Sequence, residues 1–176
     1  MPERRQADQR SSNSAEAGAV SAEFLTLEKV IFLKSVGMFS EIPEESLVEV
    51  ANAVEEMEVE RGEAIFRQGE FGTSMYIVVE GKVVVREQEH DLGELGEREV
   101  FGELAALDPV PRSATVTAAV DSYLFRVDQS VLYDLMTRHV DVARGVIKVL
   151  CKRIRDCDAL IGELSGSQKA EAKARN

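Results

Sequence analysis

The sequence predicts an α+β fold in which an antiparallel β-barrel of the jelly-roll type is flanked by N-terminal helices and followed by a C-terminal two-helix lid. Three observations support this prediction. Apolar residues recur at helical spacing before residue 58 and again after residue 128. Between these limits they occur in short alternating runs. Turns that contain glycine separate the runs, which is typical of a small antiparallel barrel.

The N-terminal part divides into a polar tail and a helical segment. Residues 1–22 are rich in Ser, Ala, Gln and charge and have no apolar period, so we expect a disordered tail. The helical segment covers residues 23–57. Its first helix is expected over 23–34, and its second begins at Pro43, which suits the first position of a helix, and continues to about Met57.

Residues 58–128 are predicted to form the barrel. Short β-rich runs alternate there with turns such as Arg61-Gly62-Glu63, and residues 87–91 form a polar hairpin tip. The expected strands are 57–59, 65–66, 74–79, 82–86, 92–96, 114–119 and 122–127.

Residues 129–164 are predicted to form the two C-terminal helices. Asp128 is a suitable N-cap for a helix that ends near His139, and Asp141 is a suitable N-cap for a longer helix that ends near Leu164. Gly145 lies inside the longer helix, where glycine costs about 1 kcal/mol relative to alanine. We expect residues 165–176 to be a flexible tail because they are small, charged and aperiodic.

Composition excludes several classes of function. The chain has 176 residues and a formal net charge of −11, which argues against a surface that binds nucleic acid or anionic membranes. It has two cysteines, no apolar run long enough to span a bilayer and no apolar core of a signal peptide. Because two thiols suit a reducing compartment, we expect a cytoplasmic protein.

Residues 101–116 combine several features that favour a bound phosphate. Gly102 allows a sharp turn and a close approach of the backbone to a ligand. Glu103–Leu107 can then form one helical turn, whose first N–H groups lack partners within the helix. Arg112 follows with a planar fork of donors suited to phosphate oxygens, and Ser113 adds a hydroxyl beside it.

These residues also carry a resemblance to a known family. The run Phe101-Gly102-Glu103-Leu104-Ala105, followed by Arg112-Ser113-Ala114-Thr115-Val116, resembles the phosphate-binding cassette of the cyclic nucleotide-binding domain family. The spacing is similar to that in regulatory subunits of cyclic-AMP-dependent protein kinase, and the helical lead-in is similar to that of bacterial members. The resemblance covers roughly residues 30–155 and implies a cyclic nucleotide as the ligand, with no other cofactor.

The resemblance implies a role for each cassette residue. Arg112 pairs with the cyclic phosphate, and Glu103 accepts a hydrogen bond from the ribose 2′-hydroxyl. Ser113 favours cyclic AMP over cyclic GMP without excluding the latter. Leu104 is also expected to be a core residue. The remaining contacts come from the small or backbone-donating residues Phe101, Gly102, Leu104, Ala105 and Ala114.

The purine needs an apolar wall and a lid. The candidates for the wall are Val83, Val85, Leu92 and Leu95, all of which also suit the barrel core. In the long helix, Lys-Arg-Ile-Arg at 152–155 lies where the resemblance places contacts that cap the base. We include Arg153 among the site residues and leave its three neighbours open, because such a run also suits a solvated helix.

The sequence therefore predicts a non-enzymatic sensor domain whose cassette and long helix rearrange when a cyclic nucleotide binds. No catalytic motif occurs, and His90 and His139 lack the partner spacing of a metal site or a triad. The alternative is a structural or protein-interaction module on the same fold that binds no nucleotide. In either case we expect an unidentified protein effector, and we consider a homodimer formed through the C-terminal helix.

Overall fold

Two four-stranded antiparallel sheets form the centre of the molecule. The computed structural model describes residues 26–174, except the side chains at 160 and 163–174. The first sheet has the order β1-β8-β3-β6 and the second has the order β2-β7-β4-β5. The strands are β1 (Glu55–Val59), β2 (Ala64–Phe66), β3 (Ser74–Glu80), β4 (Val83–Glu87), β5 (His90–Leu95), β6 (Val100–Phe101), β7 (Thr115–Ala118) and β8 (Ser122–Asp128).

Helices precede and follow the sheets, and one short helix interrupts them. This arrangement is the α+β jelly-roll architecture that the sequence predicted. The helices within the described residues are α1 (26–35), α2 (Glu44–Ala53), α3 (Glu103–Leu107), α4 (Gln129–Arg138) and α5 (Val140–Ala174). Among these described helices, none combines the length and the low charge that a membrane span requires.

Strand β3 explains how the two layers share a core. Met75 and Ile77 belong to a cluster with the helices, whereas Tyr76 and Val78 belong to a cluster between the two sheets. Successive side chains of a strand point to opposite faces, so an element buried on both faces must be apolar throughout. This is why the run from Met75 to Val79 shows no polar alternation in the sequence.

The boundary between helix and sheet differs from the prediction. Helix α2 ends at Ala53 rather than near Met57, and β1 begins at Glu55, where it pairs with β8. Met57 continues the helical spacing of Val50 and Val54, so apolar spacing alone places it in the helix. Its actual partner is Leu124, directly opposite in β8.

The C-terminal helices show further differences. Asp128 holds the N-cap position of α4 but makes no capping bond with its side chain; its carboxylate accepts from the Ser74 hydroxyl and from Arg126. Helix α5 begins at Val140, before Asp141, and its backbone continues past the predicted end near residue 164 to Ala174. The expectations for 1–22 and for residues 23–25 of the first helix lie outside the described residues.

Glycine at position 145 allows α5 to pack closely against the body of the domain. A Cβ atom built on Gly145 would lie 1.7 Å from the Met38 carbonyl oxygen. Val142 and Val146 on the same side of the helix are buried in the helical cluster. The helix therefore needs glycine here, and the cost of glycine in a helix is offset by this close packing.

Candidate functional site

The cassette forms where β6 ends against β3. Phe101 pairs with Tyr76 in the first sheet and is buried between the sheets. Gly102 then takes a left-handed conformation, with φ 75°, at the N-cap of α3. Glycine adopts this conformation without strain, so the chain turns sharply from strand to helix. Val100 already belongs to β6, so the strand begins one residue before Phe101.

Arg112 is directed into the domain rather than toward solvent. It is only 5% exposed. Its Nη1 donates to the Gly102 carbonyl at 3.1 Å, and its guanidinium carbon lies 4.0 Å from the centre of the Phe66 ring. Its buried Nε has no hydrogen-bond acceptor in the described part of the chain, and no carboxylate there forms an ion pair with it. Burial lowers the pKa of Arg112, but an arginine side chain remains charged in proteins.

Two glycines leave room for this guanidinium. A Cβ atom on Gly72 would lie 2.5 Å from Nε of Arg112, and one on Gly102 would lie 2.8 Å from Nη1. The local sequence pattern around Gly72 and Phe66 did not place either residue in the site. Both contacts depend on chain segments that meet only in the folded state, so no local signal identifies them.

Glu103 is a buried carboxylate beside the arginine. It is 2% exposed, and its Oε1 lies 2.7 Å from Nε of Arg153 on α5. Nη2 of Arg153 donates to the Val100 carbonyl at 2.8 Å and reaches Glu103 Oε2 at 3.4 Å. Because Nε of Arg153 lacks a well-directed acceptor, this contact is an ion pair with one long hydrogen bond rather than a bidentate pair. It connects α5 to the cassette.

A cavity lies between the cassette, the second sheet and α5. Its lining brings together most of the predicted site residues with others that the sequence did not indicate. The lining comprises Phe66, Val85, Leu95, Phe101, Gly102, Glu103, Leu104, Ala105, Val110, Pro111, Arg112, Ser113, Ala114, Val116 and Arg153.

The apolar wall contains Val85 and Leu95, but Leu92 does not reach the cavity. Leu92 is 58% exposed and does not contribute to the lining. Leu92 and Leu95 are three residues apart, so in a regular strand they point to opposite faces. The β4–β5 ladder is also irregular here, since Val85 pairs with Gly93 and Arg86 with Asp91, which leaves Leu92 unpaired. Both facts correct the expected placement of Leu92.

The other predicted residues take different depths around the cavity. Ala105 and Ala114 are buried, and Ser113 is exposed at the rim. Leu104 was expected in the core but is 50% exposed, because it lies on the outer side of α3. Val83, the fourth wall candidate, is buried between the sheets and does not line the cavity.

The charged groups of the cavity leave one positive charge without a partner. Glu103 neutralises Arg153, whereas Arg112 has no counter-ion among the described residues. A buried charge without a partner is costly, so an anion with one charge is the group that the cavity accommodates best. No group of three or more potential metal ligands occurs within the described residues. His90 begins β5, and His139 contacts Glu49 away from the cavity.

Comparison with known proteins agrees with this geometry. Residues 56–139 match the family described as cyclic nucleotide-binding domain. The cyclic nucleotide-gated potassium channel of Rhizobium etli is 33% identical over 119 residues, which are 68% of this chain and 33% of that protein. The cAMP-dependent protein kinase regulatory subunit of Dictyostelium discoideum is 40% identical over 95 residues, which are 49% and 29% of the two chains. The chain spans about a third of the length of both relatives.

A solved structure shows the same architecture. The catabolite activator protein of Thermus thermophilus superposes with a TM-score of 0.68 and 29% identity, over 73% of this chain and 63% of that one. The buried arginine, the cassette and these matches lead to one conclusion. The chain belongs to the cyclic nucleotide-binding domain family, and it is related to catabolite activator proteins and to regulatory subunits of cAMP-dependent protein kinase.

Proposed function

We propose that the cavity binds a cyclic nucleotide, with cyclic AMP preferred over cyclic GMP, and that the domain acts as a sensor rather than an enzyme. The observation that carries this proposal is Arg112, which is buried, has no carboxylate partner among the described residues and has an Nε without an acceptor. The phosphodiester of a cyclic nucleotide has one negative charge and acceptor oxygens suited to a guanidinium.

The remaining groups suit the rest of the nucleotide. Glu103 is held beside Arg112 and can accept a hydrogen bond from the ribose 2′-hydroxyl. Val85 and Leu95 offer an apolar surface for the purine. The preference for cyclic AMP rests on Ser113 at the rim and on the similarity to the Dictyostelium regulatory subunit, whose name refers to cAMP.

Binding is proposed to move α5 through its contact with the cassette. Arg153 of α5 pairs with Glu103, the same carboxylate that is proposed to receive the ribose. A ligand that changes this contact shifts the population of α5 positions by its difference in affinity for them. Amide NMR spectra that agree across residues 129–164 with and without cyclic AMP would contradict this step.

Calorimetry tests the proposal directly. Titration of the full chain with cyclic AMP and with cyclic GMP is expected to give measurable heat, with tighter binding of cyclic AMP. A hydrogen bond to a charged group contributes about 1.5–3 kcal/mol, so Arg112→Ala is expected to weaken binding by one to two orders of magnitude. The control is Arg67→Ala, because Arg67 is an exposed arginine outside the cavity.

The alternative is a scaffold of the same fold that binds no nucleotide. Absence of heat with both ligands, from a protein that melts cooperatively, supports the scaffold and overturns the sensor. An unchanged affinity in Arg112→Ala would also overturn it, because Arg112 provides the phosphate contact.

A second copy of the chain is a proposed partner of α5. Four β-branched residues recur there every seven positions, and each is 58–64% exposed: Val140, Ile147, Ile154 and Ile161. Leu150 and Cys157 lie three residues after the second and third of these. Such a heptad is typical of a two-stranded parallel coiled coil. Light scattering is expected to show a dimer that Ile154→Lys dissociates, and a monomeric wild type contradicts this.

The effector that receives the signal is also proposed to be a protein.

Cys151 and Cys157 are exposed free thiols, which favours the cytoplasm as the place where the protein acts.

A further inference from the structure

A second groove lies on the other side of Arg153, between α5 and the turn that joins β5 to β6. Its apolar lining comprises the half-buried residues Leu95 and Val149 and the buried residues Val36, Met38 and Val100. Its rim is basic. The cations along it come from the turn and from α5, and they are Arg98, Lys148, Lys152, Arg153 and Arg155.

Three of these cations have no carboxylate partner among the residues that the structure describes. Lys148 pairs with Glu41, and Arg153 pairs with Glu103. By contrast, Lys152 and Arg155 form no ion pair with any described residue, and Arg98 donates to the Ser35 hydroxyl instead of a carboxylate. Of the described residues, two acidic ones line the groove, Glu99 and Asp156.

This local excess of positive charge contrasts with the whole chain. The chain contains 32 acidic and 21 basic residues, yet the groove has five basic and two acidic ones. A long polyanion or a membrane surface meets the field of the entire protein, whose net charge of −11 repels it. A short acidic segment that enters the groove meets mainly the local charges, because charges beyond about 8 Å are screened at physiological ionic strength.

The groove also remains open if α5 forms a dimer. We assign Ile147 and Ile154 to the first position of two successive heptads. Lys148 and Arg155 then occupy the second position, and Lys152 occupies the sixth. These positions lie on the side of a coiled-coil helix away from the partner. The apolar stripe and the basic groove are therefore two separate surfaces of one helix.

We propose that this groove docks an acidic, amphipathic segment of a partner protein, with apolar side chains on Leu95 and Val149 and carboxylates on the basic rim. A helix that lays an apolar face into a groove is a common mode of peptide recognition. The charge complementarity selects an acidic segment over a neutral or basic one. The inference stands whether or not the neighbouring cavity takes a nucleotide.

The test uses the full chain and a fluorescein-labelled synthetic peptide of 16 residues with Leu and Glu at helical spacing. Fluorescence anisotropy is expected to show saturable binding that weakens as salt is raised. The double variant Lys152→Glu/Arg155→Glu is expected to weaken it at least tenfold. The matched control, Arg61→Glu/Arg67→Glu, makes the same change of charge at exposed positions elsewhere and is expected to stay within twofold.

Four results would overturn the proposal: no binding by the wild type, equal loss in both double variants, equal binding of a peptide with Gln in place of Glu, or binding to phosphatidylserine vesicles in preference to the peptide. Cooperative melting of both variants shows that a loss does not arise from unfolding. Amide shifts of ¹⁵N-labelled protein are expected to cluster at 36–38, 95–100 and 148–156, and shifts confined to other residues count against the groove.

Discussion

The two ends of the cavity hold their arginines in different ways. Arg112 lies within the barrel, over the Phe66 ring and beside two glycines, and it has no counter-ion among the described residues. Arg153 lies on α5, remains partly exposed and pairs with Glu103. The first arginine is positioned by the sheets, and the second is positioned by how α5 packs.

We propose that this difference separates binding from response. The Arg112 end, which is the proposed phosphate end, is preformed, because its geometry requires only strands and tight turns that pack on one another. The α5 end depends on one helix whose side chains are exposed after Arg153 as far as Ala159. We therefore expect changes at the phosphate end to alter affinity and changes along α5 to alter stability and coupling.

The largest effect is expected when α5 is forced away from the domain. In Gly145→Ala the new Cβ would lie 1.7 Å from the Met38 carbonyl oxygen, so the helix must shift. Overpacking of this kind typically costs about 1–3 kcal/mol. Urea unfolding measures the change. The control is Gly162→Ala in the same helix, where nothing lies within 4 Å and a gain of up to about 1 kcal/mol is expected. Equal effects in both variants would contradict the close contact.

The next effect concerns the phosphate end. In Gly72→Ala the new Cβ would lie 2.5 Å from Nε and 2.6 Å from Nη2 of Arg112. The guanidinium is the end of a flexible side chain and can move away, so we expect a nearly unchanged melting temperature. Affinity for cyclic AMP is expected to fall by about tenfold, the equivalent of about 1.4 kcal/mol. Gly96→Ala, with open space around its Cβ, is the control. A fall in stability without a fall in affinity would be the opposite of this expectation.

A smaller effect on affinity is expected at the α5 end. Arg153→Met removes the ion pair with Glu103 and the hydrogen bond to the Val100 carbonyl. Because Arg153 is partly exposed, we expect the pair to contribute about 1 kcal/mol or less to the free energy of cyclic AMP binding. Its loss is therefore expected to lower the affinity for cyclic AMP by fivefold or less. Calorimetric titration of Arg153→Met and of Arg112→Ala with cyclic AMP compares the two losses of affinity. A loss as large as that of Arg112→Ala would mean that the two ends contribute alike.

The smallest effect is expected at the exposed ion pair between Glu41 and Lys148, which also connects α5 to the domain. The hydrogen bond and charge of Lys148 lower the pKa of Glu41 from its ordinary value of 4.5. A carboxylate with a lowered pKa stabilises the fold above that value, and this contribution is lost as the pH falls through the folded-state pKa.

Melting curves of the wild type and Glu41→Gln test this pH dependence. The difference in melting temperature is expected to be present at pH 7 and to shrink below pH 4.5. It is also expected to shrink in high salt, because exposed charges are screened. Glu97→Gln is the control, since Glu97 forms no ion pair with the described residues. A difference that persists at low pH would show that the pair is not its source.

The cassette could be predicted from the sequence because its chemistry is local. Gly102, Glu103 and Arg112 lie within eleven residues, and each residue type has a physical reason to be there. The sheets were also predictable, since their strands alternate and glycine turns separate them. The end of α2 was not, because Val54 and Met57 fit a helix and a strand equally well until the pairing with β8 is known.

What the sequence could not predict depends on contacts between distant segments. From the sequence, Gly145 has only an energetic cost within a helix. The structural reason for glycine at this position is its close contact with the Met38 carbonyl oxygen, more than a hundred residues earlier. The roles of Gly72 and Phe66 likewise require the position of Arg112. Leu92 is a different case: its spacing from Leu95 already argued for opposite faces, and the irregular β4–β5 ladder makes this definite.

The close contact at Gly145 provides a point about which α5 can tilt, and Arg153 lies much nearer to this point than Ala174 does. Roughly 44 Å of helix separate Gly145 from Ala174 at a rise of about 1.5 Å per residue. Arg153 is only about 12 Å from the same point along the axis. A tilt that moves Arg153 by about 2 Å would thus move the far end by roughly 7 Å. If binding moves α5 as proposed, a small adjustment at the cavity would therefore become a much larger displacement at the end of the helix, large enough to alter its contact with another protein surface.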